Sequence, residues 1–89
     1  MKFGLSFANA GPFSDPDAMV HLAQTAEANG FESVWTVEHV VIPADYQSTY
    51  PYDPSGKIPG PEDIAIPDPL LSLAFVAART ERIKLATGI

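Results

Sequence analysis

Glu38 and His39 are the side chains best suited to chemistry in this sequence. They interrupt an apolar, β-forming run, VWTVEHVVIP, that extends from Val34 to Pro43. A histidine titrates near neutrality and can give or take a proton as a general acid or base. Glu38 adds a carboxylate, but neighbouring residues of a regular strand point to opposite faces, so the two share a pocket only through a bulge. A plainer reading stands beside this one. His39 is then a rim side chain bonded to a nearby carbonyl, and Glu38 is solvated or paired with Arg79, Arg82 or Lys84. Other constellations are missing: there is no GxGxxG after the first apolar segment and no Walker loop, HExxH or GxSxG. No clustered ligand set points to a metal, and Ser-His-Asp catalysis has no local signature.

The elements that must position the pair follow from hydrophobic periodicity. Residues 2–8, KFGLSFA, read as a strand. Phe3, Leu5 and Phe7 form its bulky face under helices, and Gly4, Ser6 and Ala8 its tight face. SDPD opens a helix, with Ser14 or Asp15 as cap, Pro16 in the first turn and Asp17 at the positive end. Met19, Leu22, Ala23 and Ala26 form its apolar stripe, and Asn29-Gly30 stops it. His21 lies on its outer flank. A second strand runs from Phe31 or Glu32 through Val37. Seven of the nine prolines then fall between Pro43 and Pro69, which excludes any long helix or strand there. Three tyrosines, Tyr46, Tyr50 and Tyr52, favour an ordered loop over a linker. Asp68-Pro69 opens a second helix with the stripe Leu70, Leu73, Ala74 and Ala77, ending near Arg79 or Thr80. IKLATGI closes as a third strand.

The order β-α-β-long loop-α-β is α/β with a parallel sheet, either a doubly wound open sheet or part of a (β/α)8 TIM barrel. With 89 residues against the roughly 250 of a barrel, the sequence reads as the N-terminal portion of one barrel domain, truncated after the third strand. In such folds the site lies at the carboxyl ends of the strands. Here those ends are Ala8-Asn9-Ala10-Gly11, Glu38-His39 and Ala86-Thr87-Gly88.

Composition narrows the function. Eleven acidic residues against five basic ones give a net charge of -6, which argues against holding a nucleic-acid backbone. Cysteine is absent, so there are no disulfides or thiolate metal sites. No signal peptide and no membrane-spanning run is present. The expectation is a soluble cytoplasmic protein acting on a small molecule.

MKFG, AEANGFESVW, the Glu-His pair after VWTV and RIKLATGI together resemble the N-terminal part of the luciferase-like monooxygenase superfamily. HVVIP, YPYDPSGKIPGP and IPDPLLSLAFVAARTERIKLATG are similar to its branch of oxidoreductases that use the deazaflavin coenzyme F-420. The resemblance covers essentially the whole chain. It implies a barrel, a homodimer when full length, and a flavin or deazaflavin at the carboxyl rim. It makes His39 catalytic, and it places Glu38, Ala8, Thr87, Gly88 and Ile89 beside the cofactor. A non-proline cis peptide is implied at Gly88–Ile89, a conformation costing about 3–4 kcal/mol. Deazaflavin enzymes often carry Asp-His where this chain has Glu-His, and Val40 stands where luciferases commonly have a second histidine. Three functions follow: hydride transfer between coenzyme F-420 and a small organic substrate, an FMN-dependent monooxygenase with a reductase partner, or a non-catalytic fragment or binding module. As an isolated segment, the 89 residues are expected to self-associate and bind neither cofactor.

Overall fold

The computed structural model describes residues 1–89. Three parallel strands, β1 (Gly4–Leu5), β2 (Ser33–Thr36) and β3 (Lys84–Thr87), form one sheet in sequential order. Helix α1 (Pro16–Ala28) connects β1 to β2, and α2 (Pro69–Ala77) precedes β3. A 3-10 turn at Gly11–Ser14 leads into α1. The two helices pack against each other and against the sheet, so they cover the same face. A doubly wound sheet reverses its strand order part-way and covers both faces. Within these three strands the winding keeps one direction.

Both helices start where local chemistry dictates. The Asp15 carboxylate accepts the Ala18 N–H at 2.9 Å, and Asp68 accepts that of Leu71 at 2.8 Å. Each acid thus satisfies one of the orphan donors of the first turn, and a proline follows each cap. Gly30, at φ +80°, lets the chain leave α1 and turn toward β2.

The core lies between helices and sheet. Val34 and Val76 are wholly buried, with Ala23, Met19, Ala26, Leu73 and Ile83 around them. The stripe on α2 differs from the expected one. Pro69, Leu73 and Val76 face inward, while Leu70, Leu71, Ala74 and Ala77 are exposed. This helix is apolar nearly all round, so spacing alone does not select the face that docks.

β1 is also shorter than its alternation suggests. Phe7 takes a positive φ of +60°, and the strand breaks after Leu5. The bulky face is lost with it: Phe3 and Phe7 are 60% and 59% exposed, and only Leu5 packs on the core. Ala8 re-engages β2 by donating its N–H to Trp35 O at 3.0 Å, and it ends up buried.

Side chains complete the cross-links at the amino ends of the strands. The Glu27 carboxylate accepts the backbone N–H groups of Glu81, Arg82 and Ile83, tying α1 to the turn that enters β3. These bonds hold Glu27 below its ordinary carboxylate value, the Arg82 N–H contributing most. Glu32 sits between Lys84 and Lys2 at 2.9 and 3.1 Å, and those two ammonium groups lower its pKa in the same way.

No helix is long and apolar enough to cross a membrane.

Candidate functional site

At the carboxyl ends of the strands an open cleft of about 980 Å³ is bounded by all three strand exits and by the long loop. Val37, Glu38 and His39 enter it after β2, Ala10 and Gly11 after β1, and Gly88 and Ile89 after β3. The loop supplies the opposite wall through Tyr50, Tyr52, Ile58, Ile64 and Ile66.

Glu38 and His39 both reach this cleft because regular pairing in β2 ends at Thr36. Past that point the strict alternation of a pleated strand no longer separates neighbouring side chains. Neither side chain makes a hydrogen bond to another protein group, so the histidine is not fixed on a neighbouring carbonyl. The cations suggested for Glu38 are engaged elsewhere. Lys84 binds Glu32, Arg82 lies 3.5 Å from Glu81, and Arg79 stacks over the Phe75 ring. The acid and the imidazole therefore face the cleft without protein partners, among walls that are otherwise apolar, tyrosyl or glycyl.

Of the expected catalytic His39 and the five residues expected beside the cofactor, His39, Glu38, Gly88 and Ile89 come together here. Two do not. Ala8 is 1% exposed in the core, because the break at Phe7 turns it inward and brings Ala10 and Gly11 to the rim instead. Thr87 stays within β3, paired in register with Thr36. The expected cis peptide is also absent, since every peptide bond is trans. The Gly88 N–H donates to Thr36 O at 2.8 Å, carrying the β2–β3 ladder to the strand end in ordinary geometry.

The loop that covers the cleft is internally bonded, as the tyrosines suggested. The Tyr46 hydroxyl accepts the Ile58 N–H at 2.6 Å, and Lys57 donates to Tyr46 O while lying 4.1 Å from the centre of its ring. Tyr50 and Tyr52 stack edge to face at 5.6 Å. Asp53 accepts both the N–H and the hydroxyl of Ser55, which keeps its carboxyl below the usual range.

Sequence reasoning missed Asn9. This side chain is completely buried and bonds to backbone groups on both sides of the long loop. A polar residue in the turn after a strand is a weak signal, and its partners lie 28 and 58 positions away.

Parallel strands wound in one direction, with a carboxylate, an imidazole and small residues at their carboxyl ends, place this cleft where α/β folds hold their ligands. Residues 1–89 match the model of the luciferase-like monooxygenase family, and the chain belongs to that family. Relatives include the uncharacterized proteins Mb0978c of Mycobacterium bovis and Rv0953c of Mycobacterium tuberculosis. Each is 34% identical over 89 residues, which is 100% of this chain and 30% of the relative. The chain thus spans about 30% of the length of these curated relatives. No solved structure matches.

Members of this family use flavin-type cofactors. The cleft suits the ring part of such a group: Gly88 and Gly11 let backbone approach a flat face, and the loop wall is apolar. It does not suit the phosphate part, since no lysine or arginine lines it.

Proposed function

We propose that these residues form the first part of the active-site rim of a (β/α)8 oxidoreductase that transfers hydride between coenzyme F-420 and a small organic substrate. One observation carries the reading. Glu38, His39, Gly88 and Ile89, from two different strand exits, line one apolar cleft at the carboxyl edge of a parallel sheet.

The bound deazaflavin would supply a hydride-accepting carbon. The protein's task is then orientation, exclusion of water and proton handling. Gly88 and Ile89 would lie against the ring. His39 would exchange the proton that accompanies hydride movement at the substrate oxygen. Glu38 would orient the histidine or a polar edge of the cofactor. Ile58, Ile64 and Ile66 would keep water from the reacting carbon. The phosphate would be held by parts of the barrel beyond these strands. The same reading carries with it a cytoplasmic homodimer.

The test uses the longest reading frame that contains the segment, titrated without oxygen against oxidised coenzyme F-420 and, separately, FMN. Saturable fluorescence quenching by coenzyme F-420 and none by FMN is the expected result. His39→Ala is expected to retain this binding and lose turnover by about 10²–10⁴-fold, the usual contribution of general acid–base catalysis. Binding of FMN alone, followed by oxygen consumption, would replace this reading with the monooxygenase one. Binding of neither by a folded protein would leave a non-catalytic domain.

A further inference from the structure

We infer that Asn9 is a positioning residue that sets the geometry of the Glu38-His39 exit by clamping both ends of the cleft-covering loop. The inference rests on the reading of the His39 cleft as the active site.

The Asn9 carboxamide is 0% exposed. Its Oδ1 accepts the Val37 N–H at 2.8 Å. Its Nδ2 donates to Val37 O at 2.8 Å and to Pro67 O at 3.1 Å. Val37 is the residue immediately before Glu38, and Pro67 follows Ile66 of the cleft wall. One side chain therefore joins the exits of β1 and β2 to the return of the loop.

The chemistry needs an amide. Two donors and one acceptor must diverge from a single short stem, a combination that asparagine supplies and aspartate, serine and leucine do not. Glutamine has the groups on a longer stem. Val37 leaves β2 just after regular pairing stops, so its N–H and C=O have lost the direction that a continuing ladder would impose. Asn9 provides that direction from the side. Rotating the Val37 peptide would re-aim the next two side chains, which are Glu38 and His39. With the clamp removed, His39 keeps its chemistry but samples more orientations, and the loop opens more often.

The experiment uses the longest reading frame containing the segment, as Asn9→Leu, Asn9→Ser and a control, Val76→Ala. Leucine keeps the shape and deletes every hydrogen bond. Serine is smaller, keeps one hydroxyl, and covers the case in which the leucine variant fails to fold. Val76→Ala weakens the core without removing any hydrogen-bond partner of Asn9, by deleting part of a wholly buried side chain. The first readout is limited trypsin cleavage at Lys57, which has no lysine or arginine between it and Lys2 or Arg79. Cleavage there reports loop opening without any cofactor. The second readout is the rate of diethyl pyrocarbonate modification of His39 relative to His21, both of them exposed, in the same molecules, followed against pH by mass spectrometry.

Both Asn9 variants are expected to nick at Lys57 about tenfold faster than the parent, as local opening becomes more populated. The His39-to-His21 ratio is expected to change about threefold or more as the His39 exit is re-aimed, while Val76→Ala leaves it unchanged. A purely structural Asn9 would lower stability and leave the ratio and its pH profile as in the control. That outcome, or parental cleavage at Lys57, overturns the inference even if coenzyme F-420 binds. Altered nicking and ratio in a protein that binds neither cofactor would uphold the clamp and count against the cofactor reading alone.

Discussion

Gly4→Ala is the substitution for which the structure makes the sharpest statement about stability. An added Cβ at Gly4 would lie 2.5 Å from Ser33 Oγ and 3.0 Å from Trp35 Nε1, two atoms that share a hydrogen bond of 2.9 Å. The first distance is well inside contact, so Ser33 must rotate and its bond to the indole must break. Ser33 is 8% exposed and has little room, whereas Trp35 is 42% exposed and can take its N–H to water. Losing the bond costs about 1 kcal/mol, and the crowding adds about 1–2 kcal/mol. The stiffer unfolded chain of alanine returns about 0.5 kcal/mol. The expected net loss is about 1.5–2.5 kcal/mol, measured by urea unfolding of the longest reading frame followed by circular dichroism. Ser33→Ala removes the clashing oxygen. In the Gly4→Ala background it should therefore cost less than it does alone, or even restore stability, giving a coupling of about 1 kcal/mol in the double-mutant cycle. Additive costs, or a Gly4→Ala variant as stable as the parent, would show that β1 does not pass this close to Ser33 and would refute the reasoning.

Two further outcomes concern the termini of helices and strands. Glu27 and Glu32 both have pKa values lowered from 4.5, so their stabilising contribution is present above about pH 4.5 and is lost as pH falls through the lower folded values. Melting temperature against pH should therefore drop below about pH 4.5 in the parent, and Glu27→Gln should flatten part of that drop. Asp68→Ala removes the side-chain acceptor of the Leu71 N–H and should cost about 1 kcal/mol in the same urea assay.

What could be read beforehand was local. Asp15-Pro16, Asp68-Pro69 and Asn29-Gly30 announce helix ends because capping depends on a few neighbouring atoms. The strand-exit argument brought Glu38, His39 and Gly88 to one edge because parallel topology alone gathers carboxyl ends there, whereas Ile89 came from the family resemblance. Ala8 was displaced by a single event, the positive φ of Phe7, which no alternating pattern announces in a bulky aromatic residue. The docking face of α2 was hidden for the opposite reason. Leu70, Leu71, Leu73, Phe75 and Val76 leave no polar stripe to mark the outside, so packing against α1 and β3 chose the inner side. Asn9 was invisible because its role exists only once residues far apart in sequence meet.

The two kinds of side-chain cross-link divide the sheet into ends with different work. Its strands are four residues long at most, so few ladder bonds are available and side chains must hold the chain where it enters and leaves. At the amino ends the links are made by carboxylates: Glu27 accepts the backbone N–H groups of the turn before β3, and Glu32 pairs with Lys2 and Lys84. At the carboxyl ends the link is the neutral amide of Asn9, with every donor and acceptor used inward. A neutral clamp adds no charge beside Glu38 and His39, which remain the charged or titratable groups at the strand exits of the cleft. Acid that titrates Glu27 and Glu32 therefore loosens the end of the sheet remote from the cleft, whereas a change at Asn9 acts on the cleft without altering its charge.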